Sequence, residues 1–517
     1  MALLALSIGG LTQSRYDYLI RGGKVVDGTG NPWYYADVGI RKGKIVAVGQ
    51  LDAQKARHLI NATGLVVAPG FIDVHTHIEG SIFRHPDAHN YVHDGVTTVI
   101  TGNCGGSVTD VRGFFKKLRK TGASVNVATL VGHNAIRRAV MGEANRKATP
   151  AELAQMQQLV ARAMAAGAVG LSTGLIYVPG TYAPTEEVVV LARTARRHGG
   201  IYASHIRHED WRVFDAIAEA VHIGRQAHTP VHISHFKISG KADWGASARM
   251  IDTIEAWRQR GVDVTVDQYP YTASSTSLDV LLPSWVFSGR RDSMRARIAD
   301  ASVRAQIEAE MIDMLAKTGF ADYSYAVVAR CPEHPEYAGK NLAEVTALRG
   351  LDPNELAAQR QTIFELVVLG RVQMVYHKMS EGDVQRIMSW PLSMVASDAG
   401  LPTFGEGAPH PRNYGTNARV LGRYVRQLGL LHLEEAIRKM TSMPATRFGL
   451  EKRGMIRPGW AADLVVFSER EIADQATFEQ PHAYPVGIYF VFVNGVPVIK
   501  NGQHTGRRPG QPLKHKK

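Results

Sequence analysis

Alternation of hydrophobic and polar residues marks both ends of the chain. The segment 16–30 alternates and closes on an Asp-Gly turn, and 37–49 and 65–69 continue the same pattern. Near the C-terminus, 462–467 and 490–499 repeat it, the latter around an Asn-Gly turn. Period-two alternation broken by glycine-containing turns is typical of antiparallel strands. Both ends of the chain are therefore predicted to be rich in β-structure.

Between these ends, short apolar runs alternate with amphipathic stretches of helical period. Strands that alternate with helices indicate βαβ units and a parallel sheet. About eight such strands predict an α/β fold of the (β/α)₈ barrel type. The predicted strands are 71–76, 96–101, 125–131, 169–172, 200–205, 230–235, 263–267 and 392–397, and the predicted helices include 150–166, 185–198 and 211–227.

One long stretch, 285–375, interrupts this alternation with charged sequence of helical character. We interpret it as an insertion between late strands of the barrel. The chain is thus predicted to contain a barrel over 69–446, which carries the insertion, and a β-rich domain built from 1–68 and 447–517.

Composition and charge exclude several classes of protein. The 517 residues are 45% hydrophobic and 21% charged, which is ordinary for a globular protein and excludes a disordered or fibrous chain. Two cysteines cannot make a disulfide scaffold. The net charge is +13, but no basic stripe interleaved with aromatic residues accompanies it, so we expect no nucleic-acid partner. A basic surface also favours small anionic substrates.

The sequence leaves localisation and oligomeric state open. No run of 18 apolar residues occurs, so no transmembrane helix is expected. The apolar N-terminal segment 1–15 lacks a positively charged start and can be the remnant of a secretory signal or an ordinary lead-in. A cytoplasmic location is the default expectation, and a periplasmic one follows if the segment is such a remnant.

Candidate metal ligands follow the first two predicted barrel strands. His75 and His77 end the first of them, and residues i and i+2 of a strand point to the same side. In a barrel that side is the mouth where active sites lie. Cys104 follows the second strand. Imidazoles and a thiolate are ligands that zinc prefers.

Further polar residues end later strands in the same way. His205 and His235 each close one, and Asp398 follows a late one. A carboxylate beside a metal site can act as general base and then as general acid. Lys237, two residues beyond His235, is predicted to point into the same mouth, where its ammonium can hold a substrate carboxylate. His377 ends another late apolar stretch, and it is expected either to orient the substrate or donate to the oxyanion, or to be a solvated loop residue.

These residues, in this order, resemble the amidohydrolase superfamily over nearly the whole chain. Its landmarks are matched by the segments 22–30, 68–77 and 454–466. Within it, the chain is most similar to the D-aminoacylase (N-acyl-D-amino-acid deacylase) group. The motifs that carry this likeness are 95–105, 170–183, 204–209, 232–237, 267–271 and 396–400.

The resemblance implies a fold and a metal centre. It implies a β-sandwich made from both chain ends beside a metal-bearing barrel. Cys104, His205 and His235 would hold one tight Zn²⁺. His75 and His77 would offer a second, weaker site that can share Cys104, and Asp398 would be the catalytic acid and base.

The resemblance also implies a reaction and a mode of substrate binding. The expected function is zinc-dependent removal of the acyl group from N-acyl-D-amino acids, with Lys237, Tyr177, Tyr269 and either Ser274 or Ser275 holding the substrate carboxylate. The alternatives are a dipeptidase, or an amidohydrolase that acts on a peptide, an N-acyl-L-amino acid or a cyclic amide. The expected partner is thus a small N-acylated amino acid or dipeptide.

One residue departs from the pattern of the group. After the histidine pair, members usually carry an aspartate where this chain has Glu79. That segment often lies near the substrate side chain. The departure therefore bears on side-chain preference and leaves the zinc chemistry unchanged.

Overall fold

The structure is a computed structural model that describes residues 15–289 and 291–515. The N-terminal segment on which localisation depends lies outside these residues. Within them, no helix combines the length and the apolar character that crossing a membrane requires. Both cysteines are free thiols, as the absence of a disulfide scaffold predicts.

Strands run through the whole described chain, and those of the central region carry almost only buried residues. The strands Gly170–Gly174, Ile201–His205 and Val264–Gln268 are buried at every position. In chain order the strands are β1 (Tyr16–Val25), β2 (Tyr34–Arg41), β3 (Lys44–Gly49), β4 (Ala56–Asn61), β5 (Val66–Pro69), β6 (Phe71–Asp73), β7 (Val96–Thr101), β8 (Asn126–Thr129), β9 (Val131–Gly132), β10 (Gly170–Gly174), β11 (Ile201–His205), β12 (Val231–Ile233), β13 (Val264–Gln268), β14 (Ser274–Ser277), β15 (Ala326–Arg330), β16 (Gln373–Tyr376), β17 (Ser393–Val395), β18 (Leu464–Phe467), β19 (Ile488–Val493), β20 (Val496–Lys500) and β21 (Gln503–His504).

Helices separate the central strands and begin at recognisable local signals. At the start of the helix Pro150–Ala166, for example, Thr149 and Glu152 form a capping box. Gly167, with φ 111°, ends the same helix. The α-helices are α1 (His89–His93), α2 (Val111–Thr121), α3 (His133–Met141), α4 (Pro150–Ala166), α5 (Thr185–Arg196), α6 (Val213–Ala227), α7 (Ser247–Gln259), α8 (Arg291–Ala299), α9 (Ala301–Thr318), α10 (Leu342–Leu348), α11 (Leu356–Leu369), α12 (Glu381–Ser389), α13 (Arg412–Arg419), α14 (Leu433–Met440) and α15 (Ser442–Arg447), and a π-helical segment spans Val420–Gln427.

The two ends of the chain pair in one sheet. Its order is β21-β20-β19-β18-β5-β1-β2-β3, and β4 pairs with β1. The junction between the two ends is the antiparallel pair of β18 and β5. The prediction of β-structure at both ends is confirmed.

The central strands form parallel sheets, as the alternation of strands and helices predicts. One has the order β17-β13-β12-β11-β10-β9, and the other has the order β6-β7-β8. β8 runs into β9 with one residue between them, and a parallel bridge joins Thr76 to Ala399. Because neighbouring parallel strands point the same way, their carboxyl ends lie at one edge.

The region between β13 and β17 departs from the purely helical insertion expected. It contains α8 to α11, but also an antiparallel sheet of order β14-β16-β15. These strands are short, and each pairs with a strand distant along the chain, so no local hairpin pattern indicates them. The region packs around its own apolar cluster, which includes Val286, Met311 and Phe364.

Candidate metal centre

The candidate residues converge because each follows the carboxyl end of a parallel strand. His205 is the last residue of β11, and His235 lies two residues beyond β12. Cys104 and Asp398 each lie three residues beyond a strand, β7 and β17. Cys104, His235 and Asp398 have φ of 51°, 36° and 52°. Such left-handed backbone is costly for residues other than glycine, and it occurs where the chain must turn sharply to present a side chain.

A first cluster of candidate metal ligands consists of the thiol of Cys104 and the imidazoles of His75 and His235. Cys104 Sγ lies 3.2 Å from His75 Nε2 and 3.5 Å from His235 Nε2. Burial alone would raise the pKa of the Cys104 thiol, but the charges of His75 and His235 hold it well below its usual range. The thiolate is the form that binds zinc. The donor set therefore fits a soft or borderline divalent metal.

His205 supplies a direct test of that fit. Its side chain is 6% exposed, and neither ring nitrogen has a hydrogen-bond partner among the described residues. A buried imidazole without a partner is costly. Ligand atoms of His205, Glu209 and His235 lie within 4.8 Å of one another. The chemistry of a metal ligand accounts for this orphaned ring.

Asp398 lies between two histidines, His75 and His77, and one arginine, Arg412. Its Oδ1 is 3.1 Å from His77 Nε2 and 3.4 Å from His75 Nε2, and its Oδ2 forms a 2.9 Å ion pair with Arg412 Nη1. Burial would raise the pKa of the Asp398 carboxyl, but the charges of Arg412 and His75 hold it well below its usual range. The carboxylate is therefore ionised and faces His75 and His77.

Behind the clusters, the buried Asp267 ties their histidines together. Its Oδ1 accepts the backbone N–H of His235 at 2.8 Å. Its Oδ2 lies 3.3 Å from His75 Nδ1 and 2.8 Å from His232 Nε2. A carboxylate on the far nitrogen of a ligating histidine fixes its tautomer and orientation. Asp267 thus holds parts of two chain segments in register at the site.

The clusters open into a cavity of about 1180 Å³. Four of the five residues predicted to bind substrate line it: Lys237, Tyr177, Tyr269 and Ser275. Lys237 Nζ donates to Glu209 Oε1 at 2.6 Å, and Ser275 Oγ donates to the backbone carbonyl of Met374 at 2.7 Å. Ser274, the alternative serine, lines the same cavity.

The structure does not bring His377 to this cavity. Its ring packs 4.7 Å from that of Phe478 and lines a separate pocket. The backbone N–H of His377 donates to the backbone carbonyl of Tyr325. We therefore leave His377 out of the site. The prediction failed because a position at the end of an apolar stretch does not determine which cavity a side chain faces.

Three residues of the site were missed in the sequence. Glu209, four residues after His205, bridges Lys237 and His235, whose Nδ1 lies 2.8 Å from Glu209 Oε1. The spacing of four residues between His205 and Glu209 was the signal in the sequence that could have indicated this residue. Asp267 ends an apolar strand and offered the same signal as His235. Arg412 is the first residue of α13 and does not follow a strand, so the strand-end signal did not indicate it.

Glu79 lies beside the metal loop and outside the cavity. Its Oε1 accepts the backbone N–H of Gly102, two residues before Cys104. It therefore supports the loop that presents the thiol. This placement gives no basis for linking Glu79 to side-chain preference.

Comparison with known proteins identifies the family of the chain. A family model described as "Amidohydrolase family" matches residues 58–499. The chain belongs to the amidohydrolase family. Among amidohydrolases it is 38% identical to the D-aminoacylase of Alcaligenes xylosoxydans xylosoxydans, over 96% of this chain and 97% of that protein. The predicted likeness to the D-aminoacylase group and the mixed α/β amidohydrolase fold are confirmed.

Solved amidohydrolase structures share the fold over the same length. An N-acyl-D-glutamate deacylase from Bordetella bronchiseptica, complexed with zinc and a phosphonate mimic of the tetrahedral intermediate, is 37% identical, with a TM-score of 0.83. The match covers 97% of this chain and 100% of that one. A D-aminoacylase structure concerned with a binuclear metal centre, one-metal activation and second-metal attenuation is also 37% identical, with a TM-score of 0.82 and the same coverage.

Proposed function

We propose that this amidohydrolase is a zinc-dependent hydrolase that removes the acyl group from N-acyl-D-amino acids. The observation that carries the proposal is the convergence of one thiolate, several imidazoles and an ionised carboxylate at the floor of one cavity. Relatives named D-aminoacylase and N-acyl-D-aspartate deacylase, each 38% identical, support the substrate class. The expected substrate is a small molecule.

The same donor set supports an assignment of metal ligands. Cys104, His205 and His235 would hold the tight zinc, and His75 and His77 would offer a weaker second site that shares Cys104. The ring of His205, which has no hydrogen-bond partner among the described residues and lies 3.8 Å from Glu209 Oε2, supports the first assignment. The proximity of His75 and His77 to Asp398 Oδ1 supports the second. Zinc at this site supplies a Lewis acid for the amide carbonyl and lowers the pKa of water towards about 7.

Asp398 moves the proton in this proposal. Its Oδ1 faces the clusters and accepts a proton from the attacking water, while Arg412 keeps Oδ2 in place. The carboxylic acid then donates that proton to the leaving nitrogen, which restores the carboxylate. Because Arg412 keeps the pKa of Asp398 low, the group begins each cycle ionised.

Substrate orientation falls to groups of the cavity wall. Lys237 would hold the substrate carboxylate by exchanging one of the contacts that its ammonium now makes with Glu209 and His235. Tyr177 and Tyr269 place hydroxyls in the same cavity, and Ser275 adds another. The ring of Tyr177 lies 4.8 Å from that of His205, so a group held there lies next to the metal ligands.

We also infer the finer architecture that brings these residues together. The series β6, β7, β8 with β9, β10, β11, β12, β13 and β17 would close as a (β/α)₈ barrel, and the Thr76–Ala399 bridge supports closure. Segments 1–68 and 447–517 would form a β-sandwich domain beside it. The barrel would span 69–446, with the insertion near 285–375.

Metal removal and reconstitution test the zinc requirement. Chelator-stripped protein is expected to lose at least about 99% of its activity on N-acetyl-D-amino acids, because carbonyl activation depends on the metal. One equivalent of zinc is expected to restore most of it, with no further gain from a second. Full activity without metal would contradict the proposal, and a need for two equivalents would contradict the single tight site.

A further inference from the structure

A second, large cavity adjoins the insertion, and more of its lining is apolar than polar, although charged residues such as Asp279 and Glu310 also line it. Its volume is about 890 Å³. Side chains of α8 and α9 contribute Met294, Met311 and Met314, and the segment before α8 contributes Leu282 and Trp285. Methionine is flexible and polarisable, so such walls adapt to extended apolar ligands.

This apolar cavity shares part of its wall with the catalytic cavity. Ile176, Tyr177, Ser277 and Val280 line both. Tyr177 is also the residue whose ring contacts His205. The apolar cavity therefore lies next to the catalytic cavity on the side of Tyr177.

The size of the cavity decides which part of the substrate it fits. Pockets of about 300–1,000 Å³ hold ligands the size of drugs. An amino-acid side chain is far smaller, whereas the acyl part of an N-acyl-amino acid has no fixed length. A long hydrocarbon chain also matches walls built from methionine, leucine and tryptophan.

We propose that the apolar cavity binds the acyl chain of the substrate, and that the protein prefers N-acyl-D-amino acids with straight acyl chains of about eight carbons or more. The inference rests on the proposed function and specifies its substrate. Burial of each methylene can raise kcat/KM by up to about fourfold, so even partial burial gives a measurable preference.

Cations on the wall that the two cavities share favour a different acyl group, one that carries a negative charge. Arg371 and Lys378 line both cavities, together with the carboxylate of Asp210. Lys378 Nζ lies 5.3 Å from the ring of Tyr376. An acyl group that ends in a carboxylate, such as succinyl, would use these cations in place of the apolar walls.

An acyl-length series with zinc-loaded protein tests the inference. Acetyl, butanoyl, octanoyl, decanoyl and succinyl derivatives of one D-amino acid are compared by kcat/KM. We expect decanoyl to exceed acetyl by at least about tenfold, mainly through KM. Equal or lower values for decanoyl, or a higher value for succinyl, would overturn the inference while leaving deacylation intact. No hydrolysis of any member would instead reject the proposed function.

A variant pair at Met314 links the preference to the cavity. Met314 is 36% exposed and lines the apolar cavity but not the catalytic one. Met314→Glu is expected to lower decanoyl kcat/KM by about tenfold and to leave acetyl hydrolysis within about twofold, because a charge there opposes burial of the chain. Met314→Leu is the matched control and should keep the wild-type ratio. An unchanged ratio in Met314→Glu would contradict the assignment.

Discussion

Replacing Asp398 with asparagine lowers kcat by about 10³-fold or more and leaves tight zinc binding in place. General acid–base groups contribute about 10²–10⁴-fold, and here one carboxylate serves both proton transfers. Asparagine keeps the size of the side chain and its contact with Arg412, but it cannot accept the proton. Steady-state kinetics and metal content of the purified variant measure the two effects separately.

Glu406→Gln is the matched control for that substitution. Glu406 lines the same cavity but pairs with Arg330, at 2.7 Å, and belongs to none of the metal clusters. Its removal should change kcat by less than about threefold, because an exposed ion pair contributes little. Near-normal turnover by Asp398→Asn would end the assignment of Asp398 as acid and base.

Replacing His205 with alanine weakens zinc binding by more than about 100-fold and abolishes turnover at trace zinc. Loss of a residue that merely orients a ligand costs about 10–100-fold in metal affinity, and loss of a ligand costs more. Neither ring nitrogen of His205 has a hydrogen-bond partner among the described residues, so the substitution breaks no such contact. The fold should survive, and competition with a chromogenic chelator measures the affinity.

His377→Ala provides the comparison for this effect. His377 was also a candidate from the sequence, but its ring packs against Phe478 in another pocket. Its substitution should leave zinc affinity within about twofold. If His377→Ala and His205→Ala lost zinc equally, the assignment of the tight site would be wrong.

The parallel sheets and the candidate metal ligands were predictable because their signals are local. Apolar strands such as Val96–Thr101 and the capped helix Pro150–Ala166 stand out in short windows. A chemically reactive residue at the end of a parallel strand is brought to its neighbours by the sheet itself. Cys104, His205 and His235 therefore needed no knowledge of the tertiary structure.

Features that depend on distant contacts were not predictable in this way. Arg412 meets Asp398 from a helix that no nearby pattern connects to the site. The strand Ala326–Arg330 becomes recognisable only when its partner Gln373–Tyr376 is known. His377 shows the opposite case, since an end-of-strand position alone does not determine which pocket a side chain faces.

Enantiomer selectivity tests the central claim most directly. Zinc-loaded protein is incubated with matched pairs of N-acetyl-D- and N-acetyl-L-amino acids that carry neutral and acidic side chains, and release of the free amine is followed. The account predicts release from D-substrates with at least about 100-fold selectivity over their L-counterparts. The reason is that the two enantiomers place the amide differently relative to Asp398. Equal release from both hands, or release from L-substrates alone, would contradict it.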